Sequence, residues 1–144
     1  MKTGHVGINV TDLDRSIDFY RDIFTLDLLG QNTQPNRRSA FLGHDGTLIL
    51  TLWQQSDGRF TTNRPGLHHL SFEAPDLTHL HQAETRLRAR GATLTHDGIV
   101  AHGEGATSGG LFFQDPDGTR LEIYVTTGLT APAPHADAPT CGFF

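Results

Sequence analysis

His5-Val-Gly-Ile-Asn-Val-Thr-Asp-Leu13 and His69-Leu-Ser-Phe-Glu-Ala-Pro-Asp-Leu77 are two copies of one pattern, 64 residues apart. In each, a histidine opens an apolar-alternating stretch, and Asp-Leu follows seven residues later at the head of an amphipathic run. Alternation is the period of a half-buried strand, and the run after it has the 3.6-residue period of a helix. A second motif also repeats: His44-Asp-Gly-Thr-Leu-Ile-Leu50 against Pro116-Asp-Gly-Thr-Arg-Leu-Glu122. The chain is therefore an internal duplication, and doubling brings two histidines and one glutamate to matched strand positions.

Working outward, the first copy predicts a strand over 4–10 and a helix capped by Thr11 or Asp12. Leu13, Ile17, Tyr20 and Phe24 form the apolar stripe of that helix. Strands follow near 26–31, 39–43 and 47–54, the last two joined by His44-Asp-Gly46. Residues 55–66, rich in Gly, Asn, Ser, Thr and Pro, read as a linker. The second copy predicts a strand over 68–73, a helix from Pro75-Asp76 to Gly91, and a strand near 93–95. A loop from Asp97 to Gly110 with five glycines comes next, then a hairpin of 111–114 with 120–126. The copies agree at an offset of 64 early and 72 late, from Gly46 to Gly118, so eight extra residues fall in the glycine-rich loop. That loop is expected to act as a lid. The expected architecture is α+β, two tandem βαβββ modules: module one 3–54, linker 55–66 and module two 67–127 in one domain of residues 1–128, then a Pro/Ala-rich tail over 129–144.

At 144 residues, the chain can bury roughly 68–70% of its unfolded surface without disulfides. Cys141 is the single cysteine and cannot pair within the chain, and Met1 leads into a strand with no charged, apolar leader. A cytoplasmic location is the expectation. No apolar run approaches the roughly 18 residues of a membrane span, so no membrane partner is expected. Net charge is −5 and the isoelectric point is near 5.9, which argues against a nucleic-acid partner. Arg86, Arg88 and Arg90, two residues apart on a helix, spread around it as an ordinary solvated face. The expected partner is a small molecule.

The combination of His5-Val-Gly-Ile-Asn-Val, Asp12-Leu-Asp-Arg-Ser-Ile-Asp-Phe-Tyr20, His69-Leu-Ser-Phe and Phe113-Gln-Asp-Pro-Asp-Gly-Thr-Arg-Leu-Glu122 resembles the vicinal oxygen chelate superfamily over residues 3–127. That superfamily includes glyoxalase I, extradiol dioxygenases, fosfomycin-resistance proteins and bleomycin-resistance proteins. The resemblance implies two βαβββ modules forming cupped half-barrel sheets around a divalent metal, with His5, His69 and Glu122 as ligands, and a homodimer. Four-ligand glyoxalases carry a further carboxylate at the place that the repeat assigns to Leu50, with Thr51 on the opposite face. Two histidines and one carboxylate leave about three coordination positions open, a set suited to Fe(II) and dioxygen.

The expected activity is thus that of a non-haem Fe(II) dioxygenase acting on a small oxygenated, aromatic substrate. A glyoxalase-like lyase or isomerase, a fosfomycin-type thiol transferase using Mn(II), and a metal-free drug-binding protein are the rivals; Ni(II) and Zn(II) are alternative metals. Arg120 and Tyr124 share a strand face with Glu122, as Ser71 and Glu73 do with His69 and Asn9 with His5. Tyr124 and Arg120 are candidates for orienting a substrate oxyanion, against the plainer readings of a core cap and an ion pair. His102 and Glu104 are candidates for an acid/base pair, against a solvated loop. His68 points away from His69 and is not counted; His44 is structural, and His79, His81, His96 and His135 are surface residues. Phe41, Leu48, Leu50, Leu52 and Phe113 are the expected inner wall. The ending Cys141-Gly-Phe-Phe144 either folds back near the cup or stays disordered.

Overall fold

The computed structural model describes residues 1–134 and 144; His135, Pro139 and Cys141 lie outside the described residues. The chain forms two compact units, Met1–Phe60 and Thr61–Phe144.

In the first unit, β1 (Val6–Val10) leads into α1 (Leu13–Phe24), then β2 (Asp27–Asn32), β3 (Ser39–His44) and β4 (Thr47–Gln54). The sheet order is β1-β4-β3-β2, with β1 parallel to β4 and the other pairs antiparallel. Asp12 is the N-cap of α1, its side chain accepting from Arg15 N at 3.0 Å, which satisfies one of the orphan donors of the first turn. Leu13, Ile17, Tyr20 and Ile23 are buried. Ile23 takes the place expected for Phe24, which is half-buried and stacks on Tyr20 at 5.7 Å.

The second unit repeats the order. It runs β5 (Leu70–Glu73), α2 (Leu77–Ala89), β6 (Val100–Ala101), β7 (Gly109–Gln114) and β8 (Arg120–Val125). Its sheet order is β5-β8-β7-β6, again with the first pair parallel. Asp76 caps α2 by accepting from His79 N at 2.9 Å, and Gly91 follows the helix at φ 63°, the left-handed conformation expected of a C′ glycine. Leu80, Ala83 and Leu87 are buried. Both sheets are open and mixed, so the fold is the α+β pair of βαβββ modules. Among the described residues, no helix is long and apolar enough to cross a membrane.

Two expectations change. The strand near 93–95 shrinks to one bridge, Leu94 to Phe113. The glycine-rich loop is partly strand: Gly109 and Gly110 open β7, and Val100 and Ala101 pair with them. Side chains at these glycines would run into the backbone oxygens of Val100 and Ile123. Gly109 and Gly110 thus mark a close backbone approach.

The turns set the register. In the first unit Asp45 and Gly46, at φ 49° and 73°, make a two-residue turn closed by the His44–Thr47 pair, as hairpins with two left-handed residues do. The ladder then jumps from Gly43–Leu48 to Leu42–Leu50, leaving Ile49 as a bulge. In the second unit the longer turn is held by buried Asp115, whose Oδ1 accepts from Asp117 N at 2.9 Å and Thr119 N at 2.7 Å. Without a bulge, β8 pairs with β7 continuously from Arg120 to Val125. Replacing Asp115 with Ala strands two backbone donors, each worth 1–3 kcal/mol when buried. Asp115→Ala is expected to lower stability by about 3 kcal/mol, read as a shifted urea midpoint at unchanged slope.

Candidate metal centre

The carboxylate of Glu122 is the least expected side chain in the second sheet. The residue is 1% exposed, in mid-strand, on the face shared by Arg120 and Tyr124. A buried carboxylate survives only if its oxygens are paired. Here His102 Nε2 lies 2.8 Å from Glu122 Oε1, Ser71 on β5 hydrogen-bonds the same carboxylate, and His69 Nε2 stands 3.7 Å from Oε2. An ionised carboxylate only accepts, so His102 donates from Nε2. His102 Nδ1 lies 3.2 Å from the Ser108 hydroxyl.

Burial is the largest influence on Glu122 and pushes its pKa up. The hydrogen bonds from His102 and Ser71 and the neighbouring imidazoles together outweigh it and hold the group below its ordinary 4.5. Burial pushes His69 below its ordinary 6.5, opposed by the Glu122 charge. Near neutral pH the pair is thus an anionic oxygen beside a neutral imidazole. His68 Nδ1 lies 2.8 Å from His69 Nδ1; if His69 supplies that proton, its Nε2 lone pair faces Glu122. The Nε2–Oε2 gap is too long for a hydrogen bond and short enough for both atoms to be adjacent ligands of one cation. A neutral imidazole nitrogen and a carboxylate oxygen are donors that suit a divalent transition metal.

Two sequence readings change with this geometry. His68 is a partner of His69 rather than a bystander. His102, reached from a loop, belongs to the Glu122 network and also packs on Tyr124 and Phe112 with ring centroids at 5.9 and 6.1 Å. Its partner is Glu122 and not Glu104, which is exposed. Tyr124 directs its hydroxyl to Glu73 Oε2 at 3.4 Å. Arg120 lies over the ring of Phe144, its Cζ 5.3 Å from the centroid. His5 is exposed and precedes β1 in the first unit, as His69 precedes β5 in the second. Among the described residues, no three His, Cys, Asp or Glu side chains gather as a metal-holding group.

The register also reassigns the counterpart of Glu122. Glu122 pairs with Ser71 and Phe112, while Thr51 pairs with Gly7 and Phe41. The strands therefore match at an offset of 71, from Thr51 to Glu122, and the Ile49 bulge explains why sequence alignment pointed to Leu50. Leu50 and Leu52 alternate with Thr51 and face the other side of their sheet. So does Phe113, opposite Leu121; Phe112 is the aromatic residue on the Glu122 face. Thr51 donates no carboxylate, and its Oγ1 accepts from Trp53 Nε1 at 3.0 Å.

The fold is shared with known proteins. Residues 2–123 match the Glyoxalase/Bleomycin resistance protein/Dioxygenase superfamily. The chain belongs to that superfamily. Catechol-2,3-dioxygenase of Bacillus subtilis is 27% identical over 124 residues, covering 84% of this chain and 40% of the dioxygenase. A lactoylglutathione lyase of Arabidopsis thaliana is 28% identical over 83% of this chain and 42% of the lyase. The chain thus spans about two fifths of the length of both relatives. A glyoxylase/bleomycin resistance protein/dioxygenase domain from Frankia sp. EAN1pec superposes with a TM-score of 0.75 at 29% identity, covering 88% of this chain and 98% of that one. The superfamily is mostly enzymes acting on small molecules, with several reaction types among them.

Both site groups titrate below their unfolded values. The unfolded chain therefore takes up more protons as pH falls, and stability declines toward acid. The His69 contribution is complete above 6.5 and is lost as pH drops through its folded value; Glu122 adds its own loss below 4.5. In metal-free protein, Tm is expected to fall as pH is lowered past 6.5, and His69→Gln to flatten that limb. An equally steep limb in the variant would assign the decline to other groups.

Proposed function

We propose that the protein is a mononuclear metal-dependent enzyme of its superfamily, a non-haem Fe(II) dioxygenase acting on a small aromatic substrate with adjacent oxygens. His5, His69 and Glu122 are the proposed ligands, in a homodimer. The observation that carries the reading is the buried, ionised Glu122 beside neutral His69, together with Thr51 where a second carboxylate would stand. Two imidazoles and one carboxylate leave positions open for substrate, and the metal would supply Lewis acidity and, as Fe(II), redox chemistry with dioxygen.

The chain's own residues have distinct parts in this scheme. Burial of Glu122 keeps water from hydrating its carboxylate. His102 fixes Glu122 through Oε1, so that Oε2 keeps its aim beside His69. Arg120 offers a positive charge to an ionised substrate oxygen on the Glu122 face, and Tyr124, hydrogen-bonded to Glu73, holds a proton at its hydroxyl. The rival is a lyase or isomerase using the same ligands as a Lewis acid, favoured by the lactoylglutathione lyase relative.

Protein loaded anaerobically with Fe(II) and screened against catechols and other vicinal diols should consume dioxygen with at least one of them. Glu122→Ala should lose bound iron and all uptake while remaining folded. Turnover of a substrate without dioxygen uptake would favour the lyase, and full iron content in Glu122→Ala would remove that residue from the site. For His102→Ala, metal affinity should weaken about 10–100-fold, the usual effect of losing a partner that orients a ligand. Competition against a chelating dye reads this directly; unchanged affinity would deny His102 a role in aiming Glu122.

A further inference from the structure

Phe144 closes over the same sheet face. Its ring meets Phe112 at 5.5 Å and 77°, His69 at 5.5 Å and 40°, and His68 at 6.2 Å and 76°. The Arg120 guanidinium stands 5.3 Å from the ring centroid. Edge-to-face pairs at 4.5–7 Å are the favoured aromatic arrangement, and a cation within about 6 Å of a ring face is attracted to it. Four side chains from two strands and the segment before β5 thus surround one ring. Phe112 is 1% exposed, packs with Val100 and Phe144, and is the ladder partner of Glu122. The ring sits one strand from the carboxylate and in contact with His69.

We propose that His69, Phe112 and Arg120 form a subsite for a planar aromatic ring, and that Phe144 occupies it as an intramolecular competitor which a ligand must displace. The proposal deepens the reading above, on which it rests for the identity of the site, by assigning the ring of the substrate to this cradle. Each contact demands a π system: an edge or face for Phe112, a negative face for Arg120. A saturated ring of equal size would satisfy neither. A ring carried on the same chain competes with every ring ligand for this place, so removing it strengthens the binding of small ring ligands.

The test uses metal-free protein of residues 1–144 titrated with phenol and with cyclohexanol, followed by ligand-observed NMR. Phe144→Ala should bind phenol about tenfold more tightly than the unsubstituted protein, with no comparable gain for cyclohexanol. Adding Phe112→Leu or Arg120→Met, which keep bulk while removing the ring or the charge, should cancel the gain. Equal phenol affinity with and without Phe144 would overturn the proposal, as would an equal gain for cyclohexanol, which would mean an apolar hole only. Neither probe chelates a metal and none is present. Phenol binding without dioxygen uptake would therefore sink only the dioxygenase, and uptake without the phenol gain only the ring subsite.

Discussion

The carboxylate of Glu122 is the constraint around which the second module is arranged. An ionised carboxylate cannot be taken out of water without compensation, and the fold supplies it from three segments. Ser71 comes from the parallel neighbour β5, His102 from the end of the short edge strand β6, and His69 from the residue preceding β5. These contacts hold the group charged despite burial, whereas His69, with burial dominating, stays neutral. Both groups thus favour the unprotonated form, which is what a ligand pair for a cation requires: a charged oxygen and an unprotonated nitrogen.

The scaffolding behind that arrangement is mechanical. Gly109 and Gly110 let the backbones of β6, β7 and β8 approach closely enough for His102 to reach across to Glu122. Buried Asp115 holds the turn that starts β8 in register. A shift of one residue along β8 would turn Glu122 to the helix side of the sheet and replace it with Leu121 or Ile123, since side chains alternate.

The two modules show how duplication and divergence separate scaffold from chemistry. Helix caps Asp12 and Asp76, the parallel first pair and the strand order recur in both halves. The turns do not. A two-residue turn with a bulge at Ile49 stands in one half and a longer Asx-held turn in the other, and this brings Thr51, hydrogen-bonded to Trp53, to the place of Glu122. Only the second half keeps a buried carboxylate at that place on β4 and β8, so the donor set is asymmetric.

Periodicity and punctuation in the chain determined the βαβββ order, the starts of both helices, the repeat and the family resemblance, because each module's pattern is set by near neighbours in sequence. His69, Glu122, Tyr124 and Arg120 were legible as sharing strand faces for the same reason. The engagement of His102 with Glu122, of His68 with His69 and of Phe144 with Phe112 was decided by the tertiary structure alone. The His102–Glu122 pair depends on ladder register and on backbone approach at glycines, and the bulge at Ile49 shows how register escapes the sequence: one unpaired residue shifts every later partner, yet local composition does not record it.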